Sequence, residues 1–312
     1  MIAFTTADIP DLTGKRIVVT GATNGIGRIA ATALAAKGAS VILTGRDAKR
    51  LDQTVAAITR AHPTATVRTI VADQARLADV RALAGQIAAD GQKLDVLLNN
   101  AGLVAAPKRQ VTADGFEMQF GVNYLSHYLL TALLVPTLLR APAPRVVTIA
   151  SVAHKRARVD FDDLQSARSY DRMRAYAASK LENLIFALEL DRRARAAQSP
   201  LMSVAAHPGI SMTNIFAGAG VPGLLIPAFK LAGGFIGQSA EAGALPGLFA
   251  ATSPAAQPGG YYGPQGWREM RGPLGEAYVA EKARDPAVAA RLFEVSATLT
   301  GVPFPEFVTP ST

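Results

Sequence analysis

The chain has 312 residues, 49% of them hydrophobic, which is enough for one large domain or two small ones. It contains no cysteine, and this excludes disulfides and cysteine-based metal or nucleophile sites. The net charge of +8 would suit a nucleic acid or an anionic membrane, but the basic residues are scattered and not interleaved with aromatic side chains. We therefore favour a basic soluble protein that handles a phosphorylated small molecule and has no nucleic-acid partner.

Residues 1–10 lack the basic and apolar regions of a secretory signal, so a cytoplasmic location is expected. A β-branched run over 17–20 predicts a buried parallel strand. It continues into a glycine-rich turn and then into an alanine-rich helix over 28–37. Glycines in such a turn let the backbone approach a phosphate, and the N–H groups at the helix start attract that anion. Taken alone this is a modest signal, because glycine-rich turns before helices are common.

Strands and helices alternate along most of the remaining chain. Further strands are predicted over 40–44, 66–71, 94–98, 145–150, 201–206 and 260–262. Further helices are predicted over 48–61, 77–89, 116–139, 174–195, 240–251 and 286–299. This alternation predicts an α/β protein with a Rossmann-type doubly wound parallel sheet of about seven strands and helices on both faces. No linker separates two bodies, so one domain is expected over 1–312, with a core over about 12–262 and a C-terminal extension over about 263–312.

An apolar stretch over 215–237 is interrupted by Pro222, Pro227 and several glycines, and Lys230 lies inside it. A membrane-spanning helix needs about 20 uninterrupted apolar residues, so this stretch is a poor candidate for one. We interpret it as part of a substrate lid over about 210–238. A dimer contact or a weak membrane association is the alternative.

The second predicted strand ends in Thr44-Gly45-Arg46-Asp47. In dinucleotide-binding folds an acidic residue near this point binds the ribose 2′-OH of NAD, whereas an arginine accommodates the 2′-phosphate of NADP. No acid stands at Thr44 or Gly45, and Asp47 is placed to cap the next helix. Arg46 therefore favours NADP(H) over NAD(H), although it could also be an ordinary surface arginine.

Tyr176 and Lys180 are four residues apart on a predicted helix, so their side chains share a face. A phenol with a pKa of about 10 is a poor acid–base catalyst near neutral pH. An ammonium group within about 4–6 Å stabilises the phenolate and lowers that pKa by about 1–3 units. The pair could thus donate and accept a proton. Alone it is a weak signal, because such pairs are frequent on exposed helices.

Other polar residues follow the strand ends where open α/β sheets place ligands. Ser151 follows the fifth predicted strand, Asn99 to Gly102 the fourth, and Pro208-Gly209 the sixth. Asn123 lies within an otherwise apolar helix, where a buried amide needs hydrogen-bond partners. Together these positions predict a site at the carboxyl edge of the sheet.

These motifs and their order resemble the short-chain dehydrogenase/reductase family over residues 12–260. The resemblance rests on Thr20-Gly-x-x-x-Gly-x-Gly27, Asn99-Asn-Ala-Gly102, Asn123, Ser151, Tyr176-x-x-x-Lys180 and Pro208-Gly209. Finer features over 123–131, 150–154, 160–164, 176–183 and 207–209 resemble the retinol-dehydrogenase-like branch, which includes relatives of protochlorophyllide reductase.

The resemblance implies four catalytic residues. Tyr176 would exchange a proton with the substrate oxygen, and Ser151 would hydrogen-bond to that oxygen. Lys180 would lower the pKa of Tyr176 and hold the nicotinamide ribose, while Asn123 would position a water. His154 and Phe216, with Ser151 and Tyr176, are the predicted substrate contacts. No metal site is predicted.

It also implies a set of cofactor-binding residues: Gly21, Thr23, Asn24, Gly25, Ile26, Gly27, Arg46, Asp73, Asn99, Ala101, Gly102, Tyr176, Lys180, Pro208, Gly209 and Thr213. In one respect the chain departs from the family. Many NADP-using relatives carry a second basic residue in the glycine turn, but Asn24 stands there, so Arg46 would act with little help. Arg28, Lys49 and Arg50 are near in sequence but cannot be placed from it.

The sequence thus predicts an NADP(H)-dependent oxidoreductase that interconverts a carbonyl and an alcohol on an apolar small molecule. One alternative is reduction of an activated carbon–carbon double bond, and another is a regulatory protein that senses NADP and catalyses nothing. A homodimer or homotetramer is expected, in which the helix over 116–139 and the Tyr176 helix pack against a second subunit.

Overall fold

A computed structural model of the protein describes residues 1–210 and 238–307 and contains one eight-stranded sheet. The strands are β1 Arg16–Val19, β2 Ser40–Gly45, β3 Thr66–Val71, β4 Val96–Asn99, β5 Arg145–Ile149, β6 Met202–Ala206, β7 Tyr261–Pro264 and β8 Leu274–Glu276. Their order is β3-β2-β1-β4-β5-β6-β7-β8, and only the β7–β8 pairing is antiparallel. The order reverses between β1 and β4, which is where such sheets open a crevice for a dinucleotide.

Helices cover both faces of this sheet. They are α1 Gly25–Ala36, α2 Ala48–Ala61, α3 Leu77–Ala88, α4 Ser126–Leu138, α5 Arg172–Ala196, α6 Ala240–Thr252 and α7 Pro286–Thr300. One apolar cluster packs α1, α2 and α6 against the sheet, and a second packs α3, α4, α5 and α7 against the other face. Because both faces are covered, the central strands β1 and β4 are buried along their whole length. The predicted Rossmann-type doubly wound sheet is confirmed.

Three local predictions need correction. The helix predicted over 116–139 begins later: Glu117 pairs with Val111 in an isolated bridge, and a π-helical turn, Phe120–Leu125, precedes α4. The Glu117 carboxylate accepts hydrogen bonds from the N–H groups of Gln119 (3.0 Å) and Phe120 (2.8 Å), so it caps this turn instead of continuing the helix. Helix α1 begins at Gly25 and not after the glycines. Strand β8 was not predicted, because three residues with a central glycine carry no strand pattern.

The segment interpreted as a lid falls almost wholly on residues 211–237, which lie outside the described residues, as do Thr213 and Phe216. The residues that flank it are hydrogen-bonded to each other, because the Gln238 N–H donates to the Ile210 carbonyl oxygen (2.8 Å). Within 1–210 and 238–307, none of the helices combines the length and apolar character needed to cross a bilayer.

Helix α7 covers the outer face of α4 and α5. The Phe293 ring stacks on Phe186 at a centroid distance of 5.6 Å and meets Tyr128 at 5.6 Å. The hydroxyl of Ser296 lies 2.6 Å from that of Tyr124, in the π-helical turn. Helix α7 thus packs on the side of α5 that carries Phe186, and the predicted contact of these helices with a second subunit, like the oligomeric state itself, stays a prediction.

Glu182 lies on α5 with its side chain only 2% exposed, and one carboxyl oxygen has no hydrogen-bond partner in the described part of the chain. Burial, reinforced by the nearby Glu117, raises the pKa of Glu182 from 4.5 to about 8. Because this pKa is raised in the folded state, the group's contribution to stability is full below about pH 4.5 and is lost as the pH rises toward 8.

Glu182→Gln should remove this pH dependence. Between pH 4.5 and 7.5 the wild type should lose about 3–4 kcal/mol more unfolding free energy than the variant. Urea unfolding of both proteins at the two pH values measures the difference. Glu294→Gln, which neutralises an exposed carboxylate on α7, should follow the wild type. Parallel curves for wild type and Glu182→Gln would mean that Glu182 is not buried as described.

Candidate active site

The glycine turn between β1 and α1 is shaped to receive an anion. Asn24 is the N-cap of α1, but its side chain makes no capping hydrogen bond, so the first-turn N–H groups are left for another acceptor. Gly21 adopts a left-handed φ of 67° and Gly25 one of 50°. A Cβ on Gly27 would lie 2.4 Å from both the Asn100 side-chain nitrogen and the Gly21 carbonyl oxygen, so only glycine allows this approach.

The loop that follows β1 and the loop that follows β4 are joined by hydrogen bonds. The Thr20 hydroxyl oxygen accepts hydrogen bonds from the backbone N–H groups of Asn100 and Ala101, both at 2.9 Å. The Asn100 side chain donates to the Thr20 carbonyl oxygen (2.7 Å). Asn99 is fully buried and donates to Thr131 (3.0 Å), while its amide oxygen has no partner in the described part. The predicted cofactor residues Asn99 and Ala101 therefore lie beside the glycine turn.

Ser151, Tyr176 and Lys180 meet at the end of β5. The Ser151 hydroxyl is in hydrogen-bonding contact with the Tyr176 phenol. The Lys180 ammonium nitrogen lies 5.9 Å from the centre of the Tyr176 ring and donates to the Ile149 carbonyl oxygen (2.9 Å). Lys180 is only 3% exposed, and burial lowers its pKa to about 8. The predicted catalytic serine, tyrosine and lysine are thus brought together.

Asn123 joins this group through the loop after β4. Its amide oxygen accepts the Leu103 N–H (2.8 Å), and its amide nitrogen donates to the Leu103 carbonyl oxygen (3.0 Å) and to Ser179 (3.0 Å). A Cβ on Gly102 would lie 3.3 Å from the Lys180 nitrogen and 3.4 Å from the Asn123 amide oxygen. Both side chains therefore converge on Gly102, and the buried amide has the partners that the sequence required.

The direction of the Tyr176 pKa shift differs from the prediction. Burial raises the pKa of the phenol above its usual value, and the hydrogen bond with Ser151 offsets only part of that rise. The sequence predicted a lowering by Lys180. Spacing alone could not show that Lys180 would itself be buried and would lose its proton near pH 8.

His127 is a site residue whose role the sequence did not reveal. Its Nδ1–H donates to the Asn123 carbonyl oxygen (2.9 Å), which leaves Nε2 to accept from the Thr20 hydroxyl (3.1 Å). Burial lowers its pKa to about 3, so the ring stays neutral. His127 therefore links the π-helical turn that carries Asn123 to the strand that carries the glycine turn. The only signal in the sequence was that His127 lies in the stretch 123–131, which resembles the retinol-dehydrogenase-like branch.

A cavity of about 640 Å³ lies where the adenosine end of a dinucleotide would be expected, beyond β2 and β3. Its lining includes Arg46, Lys49, Val71, Asp73, Arg76 and Asp79. Lys49 and Arg76 thus line the same cavity as Arg46, which the sequence alone could not show.

The carboxylates that line this cavity already accept hydrogen bonds from backbone N–H groups. Asp47 accepts the Arg50 N–H (3.1 Å), Asp79 accepts the Asp73 N–H (3.1 Å), and Asp73 accepts the Ala75 N–H (3.0 Å). In residues 1–210 and 238–307, the cavity's three cations, Arg46, Lys49 and Arg76, form no ion pair. They are therefore free to bind a phosphate.

Two predicted residues lie on the loops that follow β5 and β6. His154 is buried, with its Nδ1–H donating to the Ser151 carbonyl oxygen (2.7 Å) and its Nε2 facing the Ala280 N–H (3.5 Å). These bonds fix Ser151, and the predicted contact of His154 with a substrate stays a prediction. Gly209 follows Pro208 with a left-handed φ of 64°, at the same edge of the sheet.

The glycine turn, the free helix N-terminus and the cationic cavity fit a nicotinamide dinucleotide, and the Ser151–Tyr176–Lys180 group fits proton exchange at an oxygen beside it. Fold and site thus define a nicotinamide-dependent oxidoreductase. Residues 15–219 match the family described as short chain dehydrogenase.

Characterised proteins and a solved structure are similar to this chain over most of its length. Retinol dehydrogenase 14 of Mus musculus is 34% identical, covering 93% of this chain and 86% of that protein. Polyprenol dehydrogenase of Mus musculus is 37% identical, covering 94% of this chain and 86% of that protein. A crystal structure of an uncharacterized protein from Mycobacterium paratuberculosis is 36% identical, with a TM-score of 0.79, and covers 97% of this chain and 100% of that one. The chain belongs to the short-chain dehydrogenase family, and the resemblance to its retinol-dehydrogenase-like branch is confirmed.

Proposed function

We propose that the protein is an NADP(H)-dependent enzyme that interconverts a carbonyl and an alcohol on an apolar small molecule, with Tyr176 as the general acid and base. The observation that carries this proposal is the grouping of Ser151, Tyr176 and Lys180 at the carboxyl edge of the sheet, beside the glycine turn. Family membership supports the oxidoreductase class.

The preference for NADP(H) rests on the cavity beyond β2 and β3. Arg46, Lys49 and Arg76 line it without ion-pair partners among the described residues. A guanidinium group offers a planar fork of donors that suits a phosphate. The strand end that would carry an acid for the ribose 2′-OH of NAD carries Thr44 and Gly45 instead.

When bound, the nicotinamide supplies or accepts the hydride. In the direction of reduction, Tyr176 donates its phenolic proton to the substrate oxygen, and the Ser151 hydroxyl donates a hydrogen bond to the same oxygen. Charged Lys180 then stabilises the phenolate that remains. Since the pKa of Lys180 is about 8, both of its protonation states are accessible near neutral pH.

The apolar nature of the substrate is inferred from the relatives. Retinol dehydrogenase 14 and polyprenol dehydrogenase are named after long, apolar alcohols. The sequence over 215–237 is also strongly apolar. We therefore expect a lipophilic aldehyde, ketone or alcohol as the substrate.

Absorbance at the reduced nicotinamide band tests the function. NADPH or NADH is offered with aldehydes, ketones and enones of increasing chain length, and the products are identified. Oxidation of NADPH by apolar carbonyls, with alcohols as products, is the expected result. A saturated carbonyl from an enone would show double-bond reduction instead. NADPH binding without turnover across the panel would indicate a sensor.

Arg46→Gln should weaken NADPH binding by about 10- to 100-fold, because a hydrogen bond to a charged group contributes about 1.5–3 kcal/mol. NADH, which lacks the 2′-phosphate, should bind the variant as it binds the wild type. Fluorescence titration with both cofactors measures the two dissociation constants. Arg60→Gln, which removes an exposed cation at the far end of α2, is the matched control and should change neither. Equal weakening of both cofactors would contradict the assignment of Arg46.

A further inference from the structure

The C-terminal extension contains a turn in which two consecutive residues other than glycine are left-handed. Arg268 has a φ of 50° and Glu269 a φ of 58°. Residues in this region are strained, persist only where the surroundings hold them, and collect at functional positions. The turn lies outside residues 15–219, which match the family. The reason for the strain is therefore sought in the contacts that this turn makes.

The strained backbone directs the Glu269 carboxylate into the protein, where the side chain is 15% exposed. One carboxylate oxygen lies 2.7 Å from the Lys155 ammonium nitrogen and 3.6 Å from Nε2 of His207. The other accepts the Tyr278 N–H (2.9 Å). These cationic and N–H groups hold the pKa of Glu269 down at about 2, so the carboxylate is charged at every pH of interest.

Through His207 and its own backbone, the turn contacts the loop after β6. Nδ1 of His207 accepts the Gly209 N–H (3.2 Å), so the ring proton is on Nε2 and faces Glu269. The Ile210 N–H donates to the Met270 carbonyl oxygen (2.8 Å). A Cβ on Gly209 would lie 2.3 Å from that same oxygen, so the turn is packed directly against Gly209.

Through Lys155 the turn also contacts the loop after β5. Lys155 belongs to the short 3₁₀-helix Val152–Arg156, of which Ser151 is the N-cap. The neighbouring His154 holds the Ser151 carbonyl oxygen and packs against the Tyr261 ring (5.5 Å). Tyr261 in turn packs against His207 (5.1 Å). The two loops and the strained turn thus form one packed unit, with the Glu269 charge between the loops.

We propose that Glu269 is a positioning residue that fixes the Ser151 loop and the Pro208–Gly209 loop relative to each other, and so orders the nicotinamide end of the cofactor against Tyr176. This inference rests on the proposed function, since it assumes that the cofactor's nicotinamide lies between these loops. It assigns no contact between Glu269 and the substrate. Binding of the cofactor's adenosine end should not depend on Glu269. That end would be held in the cavity lined by Arg46, on the other side of the sheet's crevice.

Glu269→Gln tests the proposal, because it keeps the shape of the side chain and removes the charge. Two ligands are compared: NADPH, and adenosine 2′,5′-bisphosphate, which carries the adenine, ribose and 2′-phosphate but no nicotinamide. The variant should bind NADPH about tenfold more weakly and bind the bisphosphate as the wild type does. Turnover should fall on the order of 10²-fold, because small misplacements of reacting groups are costly.

The chain's single tryptophan reports on the turn directly. Trp267 immediately precedes Arg268, is 62% exposed, and should transfer excitation energy to a bound reduced nicotinamide. Titration of Trp267 emission with NADPH should show less energy transfer at saturation in Glu269→Gln than in the wild type. Glu281→Gln, which neutralises an exposed carboxylate in the same extension, should behave as the wild type in every measurement.

Lys155→Gln tests the same proposal if Glu269→Gln does not fold. It should give the same selective loss of NADPH affinity, and the double variant should be no weaker than the weaker single variant, because the two residues act as a pair. Equal weakening of NADPH and the bisphosphate, or no change in either, would overturn the proposal. A wild-type protein that binds neither ligand would instead overturn the proposed function.

Discussion

Replacing Tyr176 with phenylalanine should lower the turnover number by about 10²- to 10⁴-fold, which is the usual contribution of general acid–base catalysis. Phenylalanine retains the ring and loses only the hydroxyl that exchanges a proton with the substrate. Burial raises the pKa of Tyr176, so the hydroxyl is protonated throughout the neutral range and available as a donor. The affinity for NADPH should be retained, because the glycine turn and the Arg46 cavity are untouched.

Steady-state absorbance gives the turnover number of this variant, and fluorescence titration gives its NADPH dissociation constant. Tyr278→Phe is the matched control, because it removes an exposed phenol from outside the Ser151–Tyr176–Lys180 group. It should leave both quantities unchanged. Undiminished turnover by Tyr176→Phe would contradict the proposed mechanism, whereas loss of NADPH binding would show that the phenol has a structural role in the cofactor site.

Replacing Phe293 with alanine should lower the unfolding free energy by about 3–5 kcal/mol, the usual cost of removing a buried phenyl ring. Phe293 is 2% exposed and stacks on Phe186 of α5 with an interplanar angle of 21°. The Arg193 guanidinium also lies 4.2 Å from the centre of its ring. The substitution removes the main contact through which α7 covers α4 and α5, so it should also expose apolar surface.

Urea or thermal unfolding of this variant measures the loss. Phe307→Ala is the matched control, since Phe307 is only partly buried and should cost much less. Below the unfolding transition, turnover by Phe293→Ala should be close to that of the wild type. A loss of less than 1 kcal/mol would show that α7 is not docked as described.

The parts of the fold that could be predicted from the sequence depend on local pattern. The β-branched run of β1, the alanine-rich α1 and the alternation that follows them are read from neighbouring residues. They appear in the expected order, although α1 begins earlier and α4 later than predicted. Tyr176 and Lys180 were placed together because helical spacing alone puts them on one face. Ser151 was placed near them because strands of a parallel sheet end at a common edge.

The parts that could not be predicted depend on contacts between distant segments. The bond between His127 and Thr20 joins residues 107 positions apart, and no local pattern marks it. The docking of α7 onto α5 is likewise a tertiary contact that no local pattern marks. The direction of the Tyr176 pKa shift depends on how deeply the folded protein buries the phenol and Lys180, which spacing does not reveal.

The sequence also could not predict that Lys49 and Arg76 line one cavity with Arg46. Lys49 is close to Arg46 in sequence, but Arg76 comes from the segment after β3 and reaches the cavity only because β2 and β3 are neighbours in the sheet. The sequence indicated that Arg46 would act with little help. In the structure two further cations line the same cavity, which strengthens the basis for proposing NADP(H).

The most direct test of a hydride transferred to a carbonyl beside Tyr176 is the fate of deuterium carried at C4 of NADPH. Each of the two stereospecifically labelled cofactors is incubated with the protein and an apolar α,β-unsaturated aldehyde, and the products are analysed by mass spectrometry. One labelled cofactor should deliver a single deuterium to the carbinol carbon of an unsaturated alcohol. Deuterium at a carbon of the former double bond, or deuterium retained in the cofactor with both labels, would contradict the proposed reaction.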